Sequence, residues 1–412
     1  MEKISLKDRA ILRELAERKL AFAHCKRNEE ILEMWYKQSK GIKDTPSVRL
    51  LFSNFPREVV GNRLRCEGED ARKIEYQLLC SMVGRELFDD DTPISDRYEV
   101  RVFSGVTPFG VRPQKTRAAS GMGFHIDPVT DDIEADFDLF KGGKFSSNVA
   151  ATKEWCDYTD EIFGDILPSV IVQPSLLGMI TNPLVQAIGM ENYYMSMYDC
   201  PETLHKIMEM ATQVYENYYD HLEQNGALFP SNGFAPLAQE SFSFTDELPS
   251  EGPITSTKQV WGFLESQETT AVSPATFGEF VFPYQDRLVK RFGLLSYGCC
   301  ERVDAIWEDY LSNWDNLRKL SVSPFNNEAQ VGEYLRGSRV VFYSKPRAEY
   351  VTNAGPLDEE AILKYFKGVA EAASGCLFEV AQREVGTIYG DYERGRRYVE
   401  LAKQAIAEHW KP

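Results

Sequence analysis

The chain has 412 residues, 43% hydrophobic, 12% aromatic and 26% charged, a composition that supports a full core and excludes disordered, collagenous and coiled-coil classes. Lys and Arg number 46 against 63 Asp and Glu, a net charge of −17 whose average field repels phosphate backbones and anionic lipid surfaces. Nucleic acid and membrane are therefore excluded as expected partners.

The N-terminus has no apolar segment of signal-peptide type, so a cytoplasmic location is expected. Ser5 to Asp8 reads as a capping box with Asp in place of Glu, and Ile11, Leu12, Leu15, Ala16 and Leu20 follow at helical spacing. These residues predict a helical extension over 1–45, followed by one domain over 46–412. Short β-type runs are then expected at 48–53, 99–104, 170–174, 227–230, 259–264, 294–297, 319–322, 339–343 and 376–380, with helical patterns between them. The most apolar stretch, 167–180, is interrupted by Pro168, Gln173, Pro174 and Gly178 and falls short of the ~20 residues a membrane span needs. Pro201 opens a helix that Asn225-Gly226 ends, and a second helix from Ser273-Pro274 carries Pro283, which predicts a kink. Helices over about 358–374 and 391–409 end the chain. Alternation of this kind, with no Gly-x-Gly-x-x-Gly after any strand, predicts an α/β fold of the TIM type, a single (β/α)8 barrel.

Functional side chains of such barrels project from the C-terminal ends of the strands, which directs attention to four segments. One holds Cys299, Cys300 and Glu301; a second holds Glu265, Gln267 and Glu268. A third supplies the cations Lys345 and Arg347, expected to anchor an anionic group or cofactor at the mouth, and a fourth begins with Cys376. Eight cysteines, at 25, 66, 80, 156, 200, 299, 300 and 376, are too sparse for a disulfide scaffold and are expected as thiols. Cys299, Cys300, Glu301 and Cys376 are competent zinc ligands, although neighbours in an extended segment point to opposite faces, so Cys299 and Cys300 are not both expected on one ion; the alternative is buried structural thiols. His125, with Asp127, lies in a glycine-punctuated loop over 121–128 and is a candidate catalytic group. Gln239 and Glu240 follow the expected strand at 227–230 and are candidates to face the mouth. The remaining histidines, 24, 205, 221 and 409, fall in helical patterns and read as surface or packing residues.

The segments Ser273 to Tyr284 and Leu295 to Glu301, together with Cys376 and Tyr392-Glu-Arg394, resemble the uroporphyrinogen decarboxylase-like superfamily. The likeness runs from about residue 45 onward. It implies a (β/α)8 barrel and one of two activities: decarboxylation of uroporphyrinogen or a smaller acid, or zinc-dependent methyl transfer between a corrinoid (cobalamin) and a thiol or other acceptor. In the methyltransferase branch a His-x-Cys and a later Cys bind zinc; Tyr297, Cys299 and Cys376 stand at those positions. The resemblance thus implies Zn2+ on Cys299 and Cys376, with a corrinoid brought by a partner protein. Carboxylate ligation by Glu301 or Glu268 is expected in place of Tyr297, because a phenol titrating near 10 must lose a proton that a glutamate near 4 has already lost. Tyr297 is then expected beside the site or at the substrate. The arginine-rich loop and pyrrole-binding Asp of the decarboxylase branch are missing. A zinc-dependent methyltransferase acting on a small-molecule donor or acceptor is accordingly the leading expectation; a decarboxylase and a non-catalytic tetrapyrrole- or corrinoid-binding protein are the alternatives. A homodimer is compatible with this reading.

Overall fold

A computed structural model describes residues 1–111, 113–117 and 124–412. Two helices open the chain, α1 (Leu6–Ala23) and α2 (Lys26–Ser39). Ser5 Oγ accepts the amide of Asp8, as expected of a cap, but the Asp8 carboxylate accepts the amides of Glu67 and Gly68 instead of closing a capping box. The extension is thus fastened to the body of the protein.

Nine short parallel strands follow: β1 (Ser47–Leu50), β2 (Tyr98–Arg101), β3 (Ser169–Val172), β4 (Leu176–Leu177), β5 (Trp261–Leu264), β6 (Leu294–Tyr297), β7 (Leu317–Val322), β8 (Val341–Ser344) and β9 (Leu377–Gln382). Seven form one sheet in the order β1-β9-β8-β7-β6-β5-β4, and β2 pairs with β3 separately. This is an α/β architecture compatible with a TIM-type barrel. The expected strand at 227–230 does not join the ladder; its Pro230 carbonyl accepts the Gln173 amide at 3.0 Å. Two antiparallel pairs, Ser104–Thr107 with Lys144–Ser147 and Gln114–Arg117 with Phe124–Asp127, interrupt the alternation between β2 and β3 and were not expected.

Helices pack against the strands where apolar residues repeat at 3.6 spacing. The longest, α3 (Pro201–Gln224), buries Leu204, Ile207, Met208, Ala211, Tyr215, Tyr218, Tyr219 and Leu222 along one face. The expected helix at 273–292 is divided at Val281, two residues before Pro283, into α4 (Pro274–Phe280) and α5 (Phe282–Val289). Beyond these lie α6 (Glu328–Leu335), α7 (Glu359–Ala372) and the terminal α8 (Tyr392–His409). Among the described residues no helix is long and apolar enough to cross a membrane.

The register defines two faces. Ser296 is paired with Lys319, and Ser321, Tyr343 and Glu379 lie level on β7, β8 and β9. Alternation then places Lys319, Tyr343, Lys345, Glu379, Ala381 and Arg383 on the inner side and Tyr297, Leu320, Phe342 and Phe378 toward the helices. A hairpin over 236–242, closed by a Pro236–Phe242 bridge, fills the inner space. Ser241 accepts from Lys319 at 2.5 Å and donates to Glu379, which also meets Lys319 at 2.9 Å and Arg49 at 3.1 Å. Below it Phe242 and Phe244 pack on Trp35 of α2, so the N-terminal extension closes the lower end.

Candidate active site

The segment after β5 bends at Ser266, and its carboxylates turn inward. Glu265 is 2% exposed and accepts the Gln267 amide at 2.9 Å. Burial raises its pKa well above the ordinary carboxylate range, and Glu268 and Glu301 raise it further. Glu268 is held by Thr181 Oγ1 at 2.8 Å and Asn182 Nδ2 at 2.7 Å. Its orientation is therefore fixed from the neighbouring helix.

After β6 the chain turns at Gly298, whose φ of +97° is a conformation L side chains seldom adopt. This turn removes the strict alternation on which the sequence expectation rested. Cys299 and Cys300 point the same way, with sulfurs 3.7 Å apart. The hydrogen bond between the two thiols pulls the Cys300 pKa down to about 7, while the same bond and burial push Cys299 upward. Glu301 folds back to accept the Ser266 amide at 2.8 Å and the Cys299 amide at 2.6 Å, and burial raises its pKa. Beside it a cleft of about 140 Å³ is lined by Thr269, Thr270, Val272, Phe277 and Arg302.

Lys345 follows β8 and is 5% exposed; its Nζ donates to Gln239 Oε1 at 2.7 Å and to the Cys299 carbonyl at 3.3 Å. Burial depresses its pKa. Arg383, beyond β9, donates from Nη1 to the same Gln239 oxygen. Glu240 approaches Arg383 Nε at 3.6 Å. The hairpin tip therefore reaches the group formed by Cys299, Cys300, Glu301 and Lys345.

Other expected site residues lie elsewhere. Cys376 precedes β9, at the opposite strand end from Cys299. The pairings Leu377–Val341, Val341–Lys319 and Lys319–Ser296 place it about level with Leu295, three strands from β6. Four residues of rise and three strand spacings separate it from Cys299 by roughly 13 Å along the strands and roughly 14 Å across them. Both sulfurs of a zinc site must lie ~2.3 Å from one ion. Cys376 Sγ instead contacts the Gly332 carbonyl of α6, in the outer layer, at 3.3 Å. The expected zinc trio of Cys299, Cys376 and Glu301 is not assembled, and Glu301 spends its oxygens on backbone amides. Among the described residues no three His, Cys, Asp or Glu side chains are arranged to hold a metal ion.

Tyr297 also points outward. It is fully buried, donates to Gln285 Oε1 of α5 at 3.1 Å, shares a hydrogen bond with Ser266 and packs edge-on against Trp314. Its phenol supports the sheet from behind and does not face the inner space, which corrects the expectation of substrate contact. Arg347 is exposed, whereas Lys345 two residues earlier faces inward, so the two cations do not form one clamp. His125 is exposed on the second antiparallel pair, 3.1 Å from Asp127, and not in the buried group; residues 121–123 of its expected loop lie outside the described residues. Arg383 was missed. Its signal was available, since 379, 381 and 383 share one parity in an apolar strand.

No family model and no curated protein matches this chain. Among solved structures, a methyltransferase from Methanosarcina mazei superposes with a TM-score of 0.52 at 14% identity, covering 92% of this chain and 98% of the other. At that identity the likeness is one of fold, over nearly the whole length of both chains.

Proposed function

We propose that the chain is a methyl-transfer enzyme on a TIM-type (β/α)8 barrel of the uroporphyrinogen decarboxylase-like kind, working at the C-terminal strand ends with cysteine in place of the implied zinc site. The observation that carries this reading is the Cys299–Cys300 pair, whose sulfurs lie 3.7 Å apart beside buried carboxylates and Lys345, a contact that lowers the Cys300 pKa to about 7. Likeness in fold to a protein described as a methyltransferase supports the reaction class.

In this reading a small thiol is the acceptor, and the donor is a methyl group on a corrinoid carried by a partner protein. The Cys300 thiolate takes the proton of the acceptor thiol. The acceptor sulfur then attacks the methyl carbon; a sulfur–carbon bond forms, and the bond to the donor breaks with its electron pair left on the donor. Cys300 returns its proton to solvent. An ordinary thiol titrates at ~8.5, so proton transfer to a base at about 7 is uphill by ~2 kcal/mol, a modest part of an enzymatic barrier. Lys345 faces this centre and favours the anion on either sulfur.

Incubation with methylcobalamin and a small thiol, with methyl thioether measured by mass spectrometry, tests the proposal. Wild-type protein is expected to exceed the buffer rate, and Cys300→Ser to lose about 100-fold; a wild-type rate equal to buffer would overturn it. A second reading, removal of carbon dioxide from a small acid, draws on Glu265, whose carboxyl is held well above the ordinary carboxylate range by burial. Release of carbon dioxide without methyl transfer would favour that reading.

A further inference from the structure

Lys345 and Arg383 come from adjacent strands, both face the inner space, and both donate to the single Oε1 of Gln239. Neither makes a hydrogen bond to a carboxylate among the described residues. Arg383 Nε and Glu240 Oε2 face each other at 3.6 Å, each without a hydrogen bond. The hydrogen bonds of both cations thus converge on one neutral amide oxygen, while the carboxylates facing Arg383, Glu240 at 3.6 Å and Glu384 at 3.9 Å, stand off beyond hydrogen-bond distance; this is an incomplete arrangement, because a bonded carboxylate stabilises a desolvated cation far better than a dipole does.

The hairpin tip that brings the amide there is itself under strain. Gln239 and Glu240 have φ of +65° and +67°, consecutive non-glycine residues in the left-handed region. What fixes them is the tip's own bonding: Tyr343 donates to the Gln239 carbonyl at 2.6 Å, and the Ala238 amide donates to Ser175 at 2.9 Å. A primary amide has the planar outline of a carboxylate and one of its two oxygens.

We propose that Lys345 and Arg383 form a carboxylate-binding subsite, and that Gln239 occupies it as an internal placeholder which a substrate carboxylate displaces. The inference rests on the proposed site lying at these strand ends, and it names a substrate class for that site: a small molecule bearing a monoanionic carboxylate. Glu240, 3.6 Å from Arg383, opposes a second negative charge, which selects against phosphate and other dianions. Displacement swings the side chain of Gln239 away from the cations and opens space next to Cys299, whose carbonyl shares Lys345.

Two variants test this without turnover, so their outcome is independent of whether the protein transfers methyl groups. Gln239→Glu places a carboxylate where the amide stands. At neutral pH it is expected to raise Tm by about 2 °C or more, a gain that fades as pH falls below the ordinary glutamate range near 4.5. A Tm equal to or below wild type at neutral pH overturns the proposal. Gln239→Gly removes the placeholder and suits the positive φ. By titration calorimetry it is expected to bind propionate about tenfold more tightly than wild type, because no fraction of the subsite is self-occupied. Unchanged propionate affinity, or phosphate bound as tightly as propionate, overturns it.

Discussion

Cys300 differs from Cys66, Cys80, Cys156 and Cys376 in having a neighbouring thiol hydrogen-bonded to it. Burial raises Cys66 to about 12 and Cys80, Cys156 and Cys376 each to about 11, so these are protonated at every physiological pH. Cys300 is pulled the other way, to about 7. Because the thiolate is the reactive form and the pKa is lowered, alkylation of Cys300 rises with pH through a midpoint near 7, whereas an ordinary thiol has a midpoint near 8.5. At pH 7 iodoacetamide is expected to modify Cys300 about threefold faster than an unperturbed thiol, the larger thiolate fraction being partly offset by lower nucleophilicity, read by peptide mass spectrometry. Cys299→Ala removes the neighbouring thiol and is expected to move the midpoint upward by about one unit or more. A midpoint that stays near 7 in that variant would locate the cause elsewhere, with Lys345 the next cation to consider. The sequence shows both cysteines but not their pairing, since the rule that neighbours diverge holds for extended backbone and Gly298 breaks it.

The turn after β6 is the element on which this pairing depends. Gly298 has φ of +97°, and an added Cβ would stand 3.2 Å from Ser321 Cβ on β7. Gly298→Ala is therefore expected to cost about 1–2 kcal/mol in urea unfolding and to raise the Cys300 midpoint, as the turn rotates the sulfurs apart. If stability falls and the midpoint does not move, the pair is held by the Cys299 amide on Glu301 and not by the turn. At this scale much was legible. Strand β6 occupies the expected residues, α3 ends one residue before Asn225, and Pro283 divides its helix because it lacks the N–H and its ring clashes with the preceding turn. What could not be read was the hairpin at 236–242. Gln239 and Glu240 were candidates to face the mouth, but the hairpin that carries them has the polarity of a surface loop, and Tyr343, Lys345 and Arg383, more than a hundred residues later, satisfy its tip inside. Cys376 was misplaced for a related reason. Spacing puts it beside a strand, but only the ladder tells which end of the strand and which face.

Across the whole molecule, the alternation of strands and helices was legible, and the way the sheet ends at β1 was not. One edge of β1 pairs with β9; the other meets no strand among the described residues, and two consecutive aspartates take the place of a ladder. Asp91 Oδ2 accepts the Val48 amide at 2.9 Å, Asp90 Oδ2 accepts the Leu50 amide at 3.2 Å, and the Asp91 amide donates to the Val48 carbonyl at 2.9 Å. Asp91, 3% exposed, also meets Arg27 of α2 at 2.7 Å and Lys403 of α8 at 2.9 Å. A single carboxylate thus ties the N-terminal extension, the first strand and the last helix together. Arg27 and Lys403 are partly solvated, so their ion pairs are screened and each contributes well under 1 kcal/mol. The Val48 amide is buried, and leaving it without an acceptor costs about 1–3 kcal/mol. These magnitudes separate two substitutions. Asp91→Asn keeps a carbonyl oxygen for Val48 and gives up both ion pairs, its Nδ2 facing Arg27 and Lys403 in place of Oδ1, so a loss of about 1 kcal/mol is expected in urea unfolding. Asp91→Ala removes the acceptor as well and is expected to cost about 2–3 kcal/mol, with earlier hydrogen exchange at Val48 than at Leu50. Equal losses from both would mean that the joint between the two ends is held by charge, and that β1 needs no acceptor from the aspartate pair.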